Sequence, residues 1–521
     1  MSRVWRGRVL TATAALALAL LSTASAHTHA RSSYGGTLFV GLSEGDPDSL
    51  DPTVSRSGAS IVIYPEMCLR LYQTVSNHGV LQPFPLLAAA LPVLSKDKLT
   101  ATIQLKQGLQ FNDGTPFNAQ AVVNSSQRMI TYPGSSRATD FASIDTMTAT
   151  GPYTVVYHLK QRNAAFLGGN PYVLSPAAVL AEGTNFASDP VCVGPFMFDH
   201  RVVGDNVTLI KSPYYYKRDA IHLDKIVFKS MADAPSAVAA LKAGDIQVLD
   251  AVDPAAVQQG PNIRVLESPQ LGWRGIVINI GDKNGVGSLP YSNVGTPLAS
   301  SPSLRQAFEE AIDRTTMNKI LGNTVQPSCT NIPPASPWYQ ATKIPCTPYD
   351  PADARKLVAK SGFSNPTVHL LTQNTTANLL LAQFIQAEEA AVGINVVIDS
   401  PDAATSIAQA TSGNFDTFIT GFLPGNIDPD SIMAMFVETT GVRNYSGYSN
   451  PRLDLVMSNA LKATSPTARS TLYRVAQQII ANDRPIIYLF NGISYTAFRS
   501  SVTGVQLMAN GGLMLVNAQF K

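Results

Sequence analysis

The sequence predicts an α/β protein of two or more lobes. Three observations lead there: alternating strand and helix patterns between Thr367 and Thr420, strand-like runs in the amino-terminal half, and a length of 521 residues, more than one hydrophobic core usually serves. In the first, "TVHLLT" reads as a buried strand, "ANLLLAQFIQAEEAAVG" as a helix ending before Gly393, and "INVVI" as a second strand. "PDAATSIAQATSG" follows as a second helix and "FDTFIT" as a third strand. A βαβαβ unit of this kind builds a parallel sheet with helices on its faces, and ligands of such sheets sit outside the carboxyl ends of the strands. The turn-rich stretch "GFLPGNIDPD", Gly421 to Asp430, lies at such an end.

Other elements carry their own punctuation. In "SPSLRQAFEEAIDR", Ser301 is placed to cap a helix, Pro302 fits its first position, and Leu304, Ala307, Phe308, Ala311 and Ile312 form one apolar stripe. "DPADARKLVAKSG" repeats the device with Asp350, Pro351 and a stop at Gly362. The amino-terminal half shows strand runs, "GGTLFVGL", "LTATIQL" and "YTVVYHL", separated by turn residues.

Composition narrows the function classes. Hydrophobic residues make up 45% and charged residues only 14%, with no block of like charge, so the basic patch of a nucleic-acid binder is missing. The first residues read as an export signal: Arg3, Arg6 and Arg8, then the apolar run "TATAALALALL", then the small residues Ala24 to Ala26. The apolar run is too short for a membrane span. Cleavage after Ala26 removes three arginines and no acids, leaving 35 Lys and Arg against 36 Asp and Glu. No cysteine stands near that site to carry a lipid, so residues 1–26 are expected to be a signal peptide, 27–34 a disordered tail, and the mature chain a periplasmic monomer. His27 and His29 would then form an amino-terminal pattern able to wrap Cu(II) or Ni(II). We read it as a processing tail, which cleavage after Ala30 would remove, and assign no metal and no cofactor.

Export makes the four cysteines disulfide candidates, with three possible pairings. Cys329 and Cys346 flank the Pro-rich loop "CTNIPPASPWYQATKIPC", whose closure stabilises by roughly 3 kcal/mol. That pairing leaves Cys68 with Cys192. The spacing lacks the CxxC units of a zinc site. No Gly-x-Ser-x-Gly elbow, HExxH or P-loop is present, and beyond the tail the histidines are scattered, so no catalytic residue is assigned and the protein is expected not to be an enzyme.

"LKQGLQFNDGTPFNAQAVVNS" resembles the signature of the bacterial extracellular solute-binding proteins of family 5, the capture components of ABC importers for dipeptides, oligopeptides, nickel chelates and related solutes. In that turn Gly114 supplies a permissive backbone, Thr115 is expected to cap the helix and Pro116 to start it. "SLDP" at Ser49, "VGPF" at Val193, "LKAGDI" at Leu241, "LRQAFEEAIDR" at Leu304, "YDPADARKLVAKSG" at Tyr349 and "YSNPRLD" at Tyr448 follow in the family's order. The resemblance covers nearly all of the mature chain. It implies a two-lobed periplasmic-binding-protein fold (type II, cluster C) with an extra subdomain on the first lobe. Its division is lobe I from 35–66, 190–272 and 490–521, the extra subdomain 67–189, and lobe II 273–489. The cleft between lobes is expected to close by hinge motion over a peptide or related small solute and to deliver it to ABC transporter permease subunits.

By the same resemblance, the loop after "FDTFIT" holds an aspartate that pairs with the ligand's amino group in dipeptide binders. Here that place falls on Gly425, and the segment "LLTQNTT" offers Thr372, Gln373 and Asn374 in place of a carboxylate-binding arginine. Free dipeptides are therefore disfavoured, since an unpaired buried ammonium costs several kcal/mol. A longer peptide held through its backbone suits the site better, with an opine, glycoside or metal chelate as the alternative. An exported hydrolase or a chaperone-like peptide holder is the alternative from outside the family. The ligand contacts expected from position are Glu44, Trp273, Arg274, Phe422, Asn426, Asp428, Arg443 and Tyr445. Lobe packing is the competing role for Trp273 and Tyr445, and capping of a helix starting near Pro429 for Asp428 and Asp430.

Overall fold

The computed structural model describes residues 35–521 apart from 78–79, 258–259, 341–345, 425–426 and 509–510. The expected signal segment and tail, with His27 and His29, lie outside the described residues, as does Asn426. Helices and strands mix throughout, and one eleven-stranded sheet runs through both lobes. From one edge its strands are Asn395–Asp399, Thr367–Leu371, Thr417–Phe422, Ile263–Ile278, Ile486–Arg499, Val248–Leu249, Thr37–Leu42, Lys225–Ser230, Asn206–Lys211 and Phe196–Val202, with Val325–Pro327 added beside Ile486–Arg499.

The βαβαβ unit forms as the periodicity predicts, and its first strand lies in the middle: Thr367–Leu371 pairs in parallel with both Asn395–Asp399 and Thr417–Phe422. Its helices are Thr376–Ala390 and Ala403–Thr411, the second capped by Asp402. Beside them, Ile276 and Ile278 face the stripe Leu304, Ala307, Phe308, Ala311 and Ile312, while Trp273 and Val277 face Phe418, Phe436 and Tyr488. The central strand Ile263–Ile278 is thus covered on both sides over its lobe II half, whereas Thr367–Leu371 and Asn395–Asp399, toward the edge, keep Thr367, His369, Asn395 and Asp399 exposed.

The two long strands carry the sheet from lobe to lobe. Ile263 to Pro269 pairs with Arg499 to Ile493, and Trp273 to Val277 with Asn491 to Ile486, but the register shifts between Pro269 and Trp273. Side-chain bonds bridge the interruption: Gln270 donates to the Ser494 hydroxyl at 2.7 Å, and the Asn491 amide donates to the Gly272 carbonyl at 3.0 Å. A ladder broken at this point can bend there without unpairing either half.

The segment between lobe strands holds a separate four-stranded sheet, ordered Val93–Leu94, Thr100–Gln104, Thr154–Leu159 and Ile144–Gly151, with the helix Ala119–Thr131 against it. One expectation is corrected here. Thr115 does not cap that helix; Asn118 does, accepting from Ala121 N–H, while Thr115 gives both its N–H and its hydroxyl to Asp113 Oδ1. The Asp-Gly-Thr-Pro motif is a self-contained turn with Gly114 at φ +81°, ending three residues before the helix begins. The caps at Ser301 and Asp350 do form as expected.

Both disulfides form, Cys68 with Cys192 and Cys329 with Cys346, at Cα separations of 4.9 and 5.5 Å. The first pins the end of helix Gly58–Met67 to the "VGPF" segment. A side chain at Gly194 would put its Cβ 2.2 Å from the Met67 carbonyl oxygen, so glycine is required for that approach.

In the same helix Glu66 is fully buried, with Oε1 accepting the Leu515 N–H at 2.6 Å. Burial pushes its carboxyl up to about 8 from the usual 4.5, the Leu515 bond opposing this only in part. The native chain therefore keeps a proton that the unfolded chain releases, and this contribution to stability declines as pH rises from the unfolded value through the native one. Glu66→Gln keeps an acceptor for Leu515 and cannot ionise. The drop in unfolding free energy between about pH 5 and about pH 8 should shrink by a few kcal/mol in this variant, read from urea unfolding at both pH values. Equal drops in variant and parent would refute the assignment.

Candidate functional site

Between the lobes lies a cavity of about 690 Å³, a size that holds a drug-sized ligand. Its first wall belongs to lobe I and the extra subdomain. Disulfide-bound Cys68 leads into Arg70, Tyr72 and Gln73, and the run "YYYK" brings Tyr215, Tyr216 and Lys217 opposite them. Near the carboxyl terminus, the short strands Gln506–Leu507 and Leu513–Met514 bring in Met508 and Met514. The Gln73 amide donates to both thioethers, at 2.9 Å to Met508 Sδ and 3.6 Å to Met514 Sδ.

The second wall belongs to lobe II. Trp338, in the disulfide-closed Pro-rich loop, covers Arg469, whose guanidinium carbon lies 4.8 Å from the indole ring centre. Arg469 is 3% exposed and binds Asp428 with two parallel bonds, of 2.6 and 2.7 Å; it also donates to Tyr473 Oη at 2.6 Å. Tyr473 in turn donates to Asp428 Oδ1 at 3.0 Å. Burial alone would lower the Arg469 pKa, but the charge of Asp428 outweighs it and the guanidinium is held above its ordinary range. The charges of this wall are thus matched before any solute arrives. Asp428 does accept the Asp430 N–H at 3.1 Å where the helix Asp430–Val437 begins, but its chief partner is Arg469. Asp430 takes no capping role: its carboxyl is buried beside Asp428, and burial first, then that charge, push it up to about 7.

Among the described residues, two backbone bonds join the walls. Leu81 N–H, in the hairpin of strands Tyr72–Asn77 and Val80–Pro85, donates to the Ala335 carbonyl at 3.0 Å, and Ala164 N–H donates to the Leu461 carbonyl at 3.0 Å. Leu81, Leu271 and Ala335, with Ile427 against them, form a small apolar cluster at the first bond. The cavity is closed over by contacts from both lobes.

Of the expected contact residues, Asp428 lines this cavity. Trp273, Arg274 and Phe422 line a second space of about 750 Å³ that shares no lining residue with the first; Leu271 turns into one, and Gln270 and Gly272 into the other. Trp273 is 3% exposed, with its ring edge-on to Phe436 and Tyr488 at 5.0 and 5.2 Å, so it serves the core as well. Arg274 is lowered in pKa by burial and donates to Asn378 Oδ1. Tyr445 packs on Phe418 and Phe436; exposed Arg443 stands 5.2 Å from the Phe422 ring centre; Glu44 is exposed beyond the first strand. These last three line neither space.

Sequence reasoning missed Arg70, Tyr72, Trp338, Arg469, Met508 and Met514, which come from widely separated stretches. Local signals were available: the aromatic run "YYYK" is one, and Trp338 set inside a proline-rich loop between two cysteines is another. Arg469 and Tyr473, four apart on one helix face, are a third.

The buried ion pair makes a direct prediction. Arg469→Met leaves Asp428 buried beside an apolar side chain and should destabilise the chain by about 3–5 kcal/mol. Adding Asp428→Asn removes the stranded charge, so the double variant should recover part of the loss. Thermal unfolding of the three proteins measures this, and a double variant no more stable than the single one contradicts it.

The fold is also that of known proteins. The solute-binding protein CtaP of Listeria monocytogenes superposes with a TM-score of 0.81 at 22% identity, covering 94% of this chain and 99% of that one. The oligopeptide-binding protein AppA of Bacillus subtilis, in complex with a nonapeptide, gives 0.73 at 21% identity over 94% and 99%. Among curated proteins, the glutathione-binding protein GsiB of Escherichia coli O6:K15:H31 is 29% identical over 450 residues, 82% of this chain and 84% of that protein. The description "Bacterial extracellular solute-binding proteins, family 5 Middle" matches residues 82–444, most of the chain. Fold and sequence therefore agree, and the chain belongs to the bacterial extracellular solute-binding proteins of family 5.

Proposed function

We propose that this protein captures a peptide-like solute in the 690 Å³ cavity and delivers it unchanged to the permease of an ABC importer. The observation that carries this reading is that neither lobe forms the cavity alone, while two hydrogen bonds and an apolar cluster fasten the lobes across it. Such a cavity opens only when the lobes part, which suits capture and release. The relatives' printed ligands, glutathione and peptides, support the peptide-like class. Export through residues 1–26, work as a periplasmic monomer, and the lobe division at 272/273 and 489/490 belong to the same reading; the register shift at Pro269 to Trp273 supports that division. Within it we retain Asp428 as a site residue, acting through Arg469.

One observation favours a second reading. Asp428, the one carboxylate side chain among the described cavity-lining residues, is bound by Arg469, which leaves a free α-ammonium without an ionic partner there. A solute lacking that group, such as the agropinic acid bound by AgaA of A. tumefaciens R10, would meet the cavity at no such cost.

Native mass spectrometry of protein purified from its own host should show a retained solute, and incubation with it should leave its mass unchanged. Trp338→Ala, which opens one wall, should weaken its binding at least tenfold by titration calorimetry. Turnover of the solute, or undiminished binding by the variant, would defeat the proposal.

A further inference from the structure

The cavity's charges do not balance, and the imbalance names a class of solute; the inference rests on the capture reading above. Four cationic side chains line the cavity, Arg70, Lys106, Lys217 and Arg469, against the single carboxylate of Asp428. Asp428 is consumed by Arg469. Among the described residues, Arg70, Lys106 and Lys217 have no carboxylate within ion-pair distance.

What they do have is neutral. Arg70 Nε donates to the Asn170 carbonyl at 3.0 Å, and its guanidinium lies 4.8 Å from the Tyr172 ring centre. Lys106 Nζ donates to the Leu86 carbonyl and stands 5.2 Å from the Tyr216 ring centre, with Lys217 Nζ 5.8 Å from the same ring. Two ammonium groups thus share one aromatic ring. A ring face attracts a cation by about 0.5–2 kcal/mol but cancels no charge. Arg137, behind Tyr172 at 5.0 Å from its ring centre, adds a further positive charge and bonds only to carbonyls of Pro52 and Ser55. Two buried acids near the cavity do not line it: burial pushes Glu66 up to about 8 and Asp430, beside Asp428, up to about 7, and neither lies within ion-pair distance of Arg70, Lys106 or Lys217. Much of the remaining lining is apolar: Leu81, Met508 and Met514 on the same wall, and Leu271 and Trp338.

We propose that the cavity selects anionic solutes with an apolar body, placing a carboxylate between Lys106 and Lys217 and the apolar part against Trp338 and the two methionines. For a peptide this means a net negative charge, such as a side-chain carboxylate in addition to the terminal one.

The test uses two matched series, so that charge and peptide character fail separately. The tripeptides Leu-Phe-Glu, Leu-Phe-Gln and Leu-Phe-Lys differ in net charge at similar bulk; indole-3-acetate and indole-3-acetamide do so without a peptide. Ligand-free protein is titrated with each by calorimetry at low and high salt. The expected order is Glu over Gln over Lys, with the first step tenfold or more and reduced by salt. Lys217→Met, at an exposed position, should lower binding of Leu-Phe-Glu at least fivefold and narrow the Glu-over-Gln ratio; Lys106→Met is the second variant. If no tripeptide binds but the indole acid outbinds its amide, the charge proposal stands and the peptide reading falls. If Leu-Phe-Gln matches Leu-Phe-Glu, the charge proposal falls and the capture reading stands. Binding by none of the five probes overturns both.

Discussion

Everything in this molecule depends on two long antiparallel strands, Ile263–Ile278 and Ile486–Arg499, which pass one sheet through both lobes. A continuous sheet would hold the lobes rigidly, because a hydrogen-bonded ladder resists bending. The register shifts between Pro269 and Trp273, and again between Arg274 and Gly275, interrupt it within a short stretch, and the side-chain bonds of Gln270 and Asn491 stand in for ladder bonds at the first. Each half then keeps its own pairing and its own core. The cavity lies beside this point, as Leu271 shows by lining it from within the shift.

The hinge explains why the closing contacts are weak and few. Two backbone hydrogen bonds contribute on the order of 1 kcal/mol each, and the cluster around Leu81, Leu271 and Ala335 is small. Contacts of that strength suit lobes that must close over a solute and part again. The disulfide Cys329–Cys346 has its place in this scheme. It constrains the Pro-rich loop that offers both the Ala335 carbonyl and the Trp338 ring, so the receiving side of these contacts is ordered before closure.

Legibility in the sequence followed distance along the chain. The βαβαβ order, the apolar stripe from Leu304 to Ile312, and the caps at Ser301 and Asp350 all rest on residues within one or two turns of each other, and each is found where it was expected. The turn at Phe111 to Pro116 shows the limit of that logic: Asp113 competes for Thr115, and the cap moves to Asn118. The cavity was harder to read because its walls come from separate stretches, residues 65–74, 81–86, 215–220, 337–338, 427–428, 466–469 and 514–517 among them. The loop Gly421 to Asp430 was identified from its place at a strand end, and Asp428 lines the cavity. Trp273, Phe422 and Tyr445 are aromatic and central, but the alternation of strand and helix faces turns them toward lobe II packing and the second space.

The two walls treat charge differently, and the difference has a physical reason. On lobe II, Arg469 is 3% exposed and Asp428 8%, so closure meets a pair whose desolvation is already offset by two short bonds and the Tyr473 hydroxyl. Shutting that wall over a solute strands no new ion. On lobe I, Arg70 and Lys106 are half-buried and Lys217 is exposed. Water can reach these cations while the lobes are apart, and closure would take part of it away. A neutral solute would leave them to bear that loss with only carbonyls and tyrosine rings as partners, whereas a carboxylate supplies charge-assisted bonds in place of the water. Selectivity then needs no carboxylate-binding arginine of the kind dipeptide binders carry, because the discrimination comes from what closure costs when the wrong solute is inside.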